Sequence, residues 1–244
     1  IEGEAMIEVK NVTKTYGKKQ NAFRALNNVS LTIPDGASVA ILGKSGSGQS
    51  TLMHVMSGLD RPEQGEVVID GENILKLKQK AVDKFRAEKI GFIFQSFFVQ
   101  GNESVYDNVG LPLEIARVPR SGRKKRIQRA LTSVEMLDKV RNKAKNLSGG
   151  QKQRLAIARA IANHPKIIFA DEPTGNLDSV TSELVEDMLF GYNRDQGVTL
   201  IIVTHDEDLA AKCDILVNIK DGNIESVTDR KAGDGLASKS PRVV

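Results

Sequence analysis

Short apolar runs separated by longer polar stretches set the layout of this chain. Val39-Ala40-Ile41-Leu42, Gly91-Phe92-Ile93-Phe94, Ile167-Ile168-Phe169-Ala170 and Thr199-Leu200-Ile201-Ile202-Val203 are continuous rather than alternating. Runs of that length predict buried strands, and Ile215 opens another. Residues 7–33 instead alternate around Gly17, as antiparallel strands do. Residues 64–70 read as a further strand after Pro62, and residues 76–87 as a charged helix. From about Ser96 to Ala160 helical patterns dominate, with Leu155, Ala158 and Ile161 along one face. The pattern therefore predicts an α/β fold: a sheet core, an N-terminal antiparallel β subdomain, and a helical insertion over about 96–160. From about Val227 to Val244 the chain is rich in Gly, Ser, Lys and Asp, and a disordered tail is expected.

The segment after the first buried run adds chemistry to this architecture. Gly43-Lys44-Ser45-Gly46-Ser47-Gly48-Gln49-Ser50-Thr51 fits the phosphate-binding pattern G-x-x-x-x-G-K-[ST] at every position but one: Gln49 stands where the lysine belongs. The glycines let the backbone turn tightly, so that N–H groups point inward at phosphate oxygens. The helix starting near Gln49 aims its dipole at the same anion, and Ser50 would offer its hydroxyl to Mg²⁺. None of these contacts needs the lysine. What is lost is a cation on the β/γ-phosphates; Lys44 sits at the start of the loop, in the wrong register to replace it. Taken alone, the segment also fits a ligand-free Gly/Ser turn.

Two more segments narrow the choice. The strand Lys166–Ala170 ends in Asp171-Glu172. Ligands gather at the carboxyl ends of parallel strands, so Asp171 is placed to hold Mg²⁺ and Glu172 to polarise an attacking water. Leu147-Ser148-Gly149-Gly150-Gln151 precedes a helical stretch, where Ser148 and the glycines fit an N-terminal cap and a second anion site.

In combination these segments resemble the ATP-binding-cassette family over nearly the whole chain. Leu147–Gln151 matches the family signature letter for letter. The order also matches: phosphate loop, Phe94-Gln95, signature, Asp171-Glu172, then Thr204-His205. The resemblance implies a P-loop NTPase (RecA-like) core forming one nucleotide-binding domain over 1–226, with ATP and Mg²⁺ as cofactors. It implies that Tyr16 stacks on adenine and that residues 43–51 hold the phosphates. Gln95 joins Ser50 and Asp171 at the metal and couples to a membrane partner. Asp178, in Asn176-Leu177-Asp178, lies in the loop crossing between two cassettes, Glu172 is the catalytic carboxylate, and His205 contacts the γ-phosphate. Phe94-Gln95-Ser96-Phe97, residues 107–113 and residues 170–178 are similar to macrolide-exporter and lipoprotein-release cassettes (MacB and LolD types). The implied partners are a second copy, in an ATP-dependent head-to-tail dimer, and an integral membrane permease. One departure is Phe98–Ser104, where a leucine pair and a threonine are usual; this loop faces the permease in the family. A cell-division cassette of FtsE type and a nucleotide-binding pseudoenzyme are the competing readings. Retention of Glu172 and His205 favours a competent enzyme into which Gln49 was introduced, with low activity expected in this copy.

Composition adds bounds. The 244 residues are 40% hydrophobic and carry a single cysteine, Cys213, which fits a reducing compartment. No apolar run approaches the ~20 residues that cross a bilayer, and no signal peptide is expected. Met6 reads as a native start, with Ile1–Ala5 an appended leader. The expected location is the cytoplasmic face of the inner membrane, held there by the permease. Net charge is +4, and much of the excess lies in Arg117, Arg120, Arg123, Lys124, Lys125, Arg126 and Arg129. These form either a solvated helix face or a contact with anionic headgroups. No aromatic residues interleave with them, so no nucleic acid partner is expected.

Overall fold

The computed structural model describes residues 4–18 and 21–230. In chain order the first elements are β1 (Ala5–Tyr16), β2 (Phe23–Pro34), β3 (Ser38–Leu42), α1 (Gln49–Met56), β4 (Gln64–Ile69) and β5 (Glu72–Asn73). Next come α2 (Gln79–Lys89), β6 (Ile90–Phe94), α3 (Val105–Ile115), α4 (Arg120–Ser133), α5 (Gly149–Ile161), β7 (Ile167–Asp171) and α6 (Ser179–Gln196). The last are β8 (Thr199–Thr204), α7 (Glu207–Ala211), β9 (Ile215–Lys220) and β10 (Asn223–Asp229). These elements divide into two units, one running to Leu75 and resuming at Val203, the other spanning Lys76–Ile202.

In the first unit an antiparallel sheet has the order β2-β1-β4-β5. Its register pairs Ile7 with Ile33, Val9 with Leu31 and Val12 with Val29, all buried. Alternation along β1 thus turns one face to the core and the other to water, as in sheets covered on one side. β3 differs: Val39, Ala40 and Ile41 are wholly buried, and the strand runs parallel to β9. A strand covered on both faces reads as a continuous apolar run. β10 pairs antiparallel with β9 as far as Asp229. The tail expected from 227 therefore starts too early: Val227, Thr228 and Asp229 are strand, held by backbone pairing although mostly exposed. Residues 231–244 lie outside the described residues. Of the expected leader, residues 1–3 lie outside them too, whereas Ala5 opens β1 and the Glu4 carbonyl accepts from Asp35 N–H at 3.1 Å.

In the second unit the strand order is β8-β7-β6. β6 and β7 are parallel, with Ile90 beside Ile167 and Phe94 beside Asp171. That register brings the carboxyl ends of both strands to one edge, so the chain after Phe94 and the chain after Asp171 leave side by side. Phe92 stacks on Phe169 at 5.9 Å and on Phe94 at 5.7 Å, tightening the pair. The charged helix begins later than its pattern indicates: α2 starts at Gln79, because Ile74–Lys76 forms a 3₁₀ turn that buries Ile74. Between Ser96 and Ala160 lie α3, α4 and most of α5. α4 buries Ile127, Ala130 and Leu131. Of its basic residues, Arg123 pairs with Glu114.

Candidate active site

In the first unit, Gly43 leaves β3 and residues 44–47 turn back, with Ser47 N–H donating to the Lys44 carbonyl at 3.0 Å. Gly48 then starts α1 with φ 107°. That angle excludes side chains, and a Cβ there would lie 2.5 Å from the Ala25 carbonyl oxygen. α1 has no side-chain cap and no acidic residue in its first turn. Its leading N–H groups, which no helix can satisfy internally, are thus left for an anion. Lys44, Ser45, Gly46 and Ser50 are exposed, Gly43 and Thr51 are half-buried, and Ser47 is buried.

The Gln49 side chain does not reach toward this opening. It is buried, and its Nε2 donates to the carbonyls of Ile41 and Thr204, both at 3.2 Å. Its Oε1 accepts from Ser47 Oγ at 3.3 Å. The amide that stands in for the lysine thus ties the loop to the ends of β3 and β8. Thr204 is followed by His205, which is exposed, and by Asp206, which caps α7 by accepting from the N–H groups of Asp208 and Leu209.

Tyr16, at the end of β1, is held by two residues that sequence reasoning missed. Its hydroxyl donates to Asp60 Oδ2 at 2.6 Å. Lys14 bridges to Asp60 Oδ1 at 2.9 Å and places its Nζ 4.9 Å from the Tyr16 ring centre. Burial, and then the bond to Asp60, push the Tyr16 hydroxyl above its ordinary pKa. Burial alone would raise Asp60 as well, but hydrogen bonds from Tyr16 and Lys14 outweigh it and hold that carboxyl below its usual range. The Tyr16 ring remains 41% exposed, anchored by its hydroxyl and open to a ligand.

In the second unit, the register of β6 and β7 puts Gln95 beside the turn that follows Asp171. Asn176 Nδ2 donates to the Gln95 carbonyl at 3.0 Å, and a Cβ on Gly175 would come 2.8 Å from Gln95 Nε2. Gln95, Glu172, Gly175 and Asn176 thus form one cluster. Glu172 itself has left-handed backbone, φ 45°.

Ser148 caps α5 in a reciprocal capping box. Its Oγ accepts from Gln151 N–H at 3.3 Å, and Gln151 Oε1 accepts from Ser148 N–H at 3.0 Å. Gln151 is thereby engaged in holding the helix start. Leu147 is buried beneath it, while Ser148 and Gly149 are exposed. Gly150 faces Thr181, in the first turn of α6. Asp178 caps that helix, accepting from Thr181 N–H at 3.0 Å, and this bond is the main reason its pKa is low. Oxygen donors are what Mg²⁺ prefers, and it binds through a carboxylate, waters and phosphates rather than a closed protein cage. Ser50, Gln95 and Asp171 are such donors. Among the described residues there is no cluster of three or more His, Cys, Asp or Glu that could hold a metal.

A family model described as ABC transporter matches residues 26–175. The chain belongs to the ABC transporter family. The cassette is 43% identical over 222 residues to the lipoprotein-releasing system ATP-binding protein LolD of Syntrophotalea carbinolica, covering 91% of this chain and 98% of that protein. It is 42% identical to the uncharacterised ABC transporter ATP-binding protein YknY of Bacillus subtilis, over 90% of this chain and 95% of that protein. Among solved structures, the cassette superposes on the dimeric, ADP- and phosphate-bound post-hydrolysis state of MJ0796. The TM-score is 0.85 at 41% identity, over 92% of this chain and 98% of that one; MJ0796 comes from Methanocaldococcus jannaschii. The fold is that of the cassette ATPases, as the phosphate loop, signature and strand-end carboxylates imply. Among the described residues of the cassette, no helix is long and apolar enough to cross a membrane.

Proposed function

We propose that this cassette is the ATP-binding and ATP-hydrolysing subunit of a MacB/LolD-type complex. In this reading it converts ATP-driven dimerisation into motion of a membrane permease, at whose cytoplasmic face it sits. The observation that carries the reading is the uncapped start of α1 behind a glycine loop, an anion site with no internal acceptor for its N–H groups. Tyr16 stacks on the adenine ring and the amides of residues 43–51 take the phosphates. Ser50, Gln95 and Asp171 would hold Mg²⁺, which would supply positive charge to the phosphates. Glu172 accepts a hydrogen bond from the attacking water and orients it, and His205 contacts the γ-phosphate. Leu147–Gln151 and Asp178 serve the nucleotide of the opposite copy. Gln49, uncharged and bonded to two strand-end carbonyls, weakens binding without abolishing it and slows hydrolysis.

Calorimetry with ATP and Mg²⁺ tests the reading. A hydrogen bond to a charged group contributes ~1.5–3 kcal/mol, so without the lysine the affinity should fall by roughly 10- to 100-fold against Gln49→Lys. No binding at millimolar ATP would remove the proposal. Asp60→Ala should weaken ATP binding about 3- to 10-fold, the worth of one ordinary hydrogen bond, because Tyr16 loses its anchor. Unchanged affinity would take Asp60 out of the site.

A further inference from the structure

The helix that Ser148 begins also reaches two other loops. Gln153, on α5, is fully buried, and its Nε2 donates to the Pro173 carbonyl at 2.5 Å. Pro173 follows Glu172, whose left-handed backbone (φ 45°) is uncommon for any side chain but glycine's. Farther along the same helix, Arg159 donates through Nη1 to the Phe98 carbonyl at 2.6 Å and through Nη2 to the Phe97 carbonyl at 2.9 Å. Phe97 and Phe98 are left-handed as well, with φ 60° and 46°, and for bulky residues that is an outlier conformation. A planar guanidinium fork suits two neighbouring carbonyls.

Arg159 has no carboxylate within ion-pair distance among the described residues, and burial lowers its pKa. A half-buried cation whose bonds go only to carbonyls of an otherwise unfavourable turn is there for the turn. Beyond the last turn of α5, Asn163 Nδ2 donates to the Ala87 and Pro112 carbonyls at 2.8 and 3.0 Å, fixing that end of the helix to its neighbours.

We propose that α5 positions both catalytic loops: Gln153 sets the Pro173–Thr174 peptide, one residue past Glu172, and Arg159 sets the turn after Gln95. The inference rests on the reading of Glu172 and Gln95 given under the proposed function. Left-handed segments persist only where their surroundings over-determine them, and each is held here by one side chain of α5. A displacement of the helix at Ser148 is therefore carried to the Glu172 loop and to the Gln95 loop together. Gln153 and Arg159 act through the loops they hold.

Hydrogen exchange on the nucleotide-free protein tests the two contacts separately. The reporters are hydrogen-bonded amides: Phe97 and Phe98 in one loop, Gly175 and Leu177 in the other. Arg159→Lys keeps the charge but loses the fork, and should speed exchange at Phe97 and Phe98 about tenfold or more while leaving Gly175 and Leu177 unchanged. Gln153→Met keeps the volume without the donor and should do the reverse. In a Gln49→Lys background, each variant should lower kcat roughly 10- to 100-fold with KM within about threefold, the scale of a misplaced catalytic group. Uniform loosening of the whole unit, or no change at either loop, overturns the proposal. Crossed exchange effects in a protein whose Gln49→Lys parent hydrolyses no ATP would uphold the positioning and overturn the functional reading beneath it.

Discussion

Gln49→Lys is expected to raise steady-state ATP hydrolysis by roughly 30- to 1,000-fold. Phosphoryl transfer leaves the protein little covalent chemistry to do; it must position groups and stabilise shifting charge. In this chain the residue before Ser50 carries no charge, and both amide protons of Gln49 go to the carbonyls of Ile41 and Thr204. Nothing at that position answers the charge that develops on the β/γ oxygens. At an effective dielectric near 20, a unit charge about 4 Å away is worth ~4 kcal/mol. Only the part specific to the transition state accelerates the reaction, and about 2–4 kcal/mol of it corresponds to the stated range at 1.36 kcal/mol per decade. In the proposed reading Glu172 and His205 cannot compensate, because their roles are toward the water and the γ-phosphate and supply no cation at the β/γ oxygens. Phosphate release would be measured for this chain, for Gln49→Lys, and for Gln49→Lys with Glu172→Gln. Only the second should be active. Equal rates for the first two would mean that glutamine suffices, and inactivity of all three would favour a nucleotide-sensing pseudoenzyme.

The sequence announced the phosphate loop, the signature and the strand-end carboxylates because each is contiguous, and its chemistry depends on spacing along the chain. β3 and β7 were legible for a similar reason: strands covered on both faces cannot hide their apolar runs. The end of β10 was not, since its exposed Val227, Thr228 and Asp229 look like tail, and only pairing with β9 makes them strand. The anchor of Tyr16 was invisible, because Asp60 lies 44 residues away. So was the destination of the Gln49 amide, since Thr204 lies 155 residues on. Sequence reasoning saw in Gln49 only the loss of a cation on the β/γ-phosphates, whereas folding gives its amide protons to backbone carbonyls. Gln153 and Arg159 read as polar positions on a helix until the carbonyls they meet are known. What the sequence lacks in each case is a long-range partner, and one polar side chain carries no signal of which carbonyl will face it.

ATP is expected to bring two copies of the Gln49→Lys protein together, and Ser148→Arg should raise the dimer dissociation constant by roughly 100-fold or more. Ser148 has its hydroxyl oxygen at an exposed helix start, and a Cβ on Gly149 would meet nothing within 4 Å. Next to that start, Gly150 abuts Thr181, and the adjoining turn of α6 leaves Val180 77% exposed and Leu184 37% exposed. An exposed helix start flanked by uncovered apolar side chains suits a partner that carries a bound phosphate, which is what a second copy would present in the proposed reading. MJ0796, similar over 92% of this chain, is dimeric with ADP and phosphate bound. Arginine at 148 would bring bulk into that junction and remove the hydroxyl that caps α5; overpacking costs about 1–3 kcal/mol and a lost cap about 1 kcal/mol, together reaching more than two decades at 1.4 kcal/mol each. Sedimentation with a slowly hydrolysed ATP analogue separates the 26.6 kDa monomer from its dimer. The unmodified chain should stay mostly monomeric, Gln49→Lys should dimerise, and adding Ser148→Arg should return it to monomer while ATP still binds. A dimer that survives Ser148→Arg would mean that the signature does not complete the opposite site and that the two copies meet through another face.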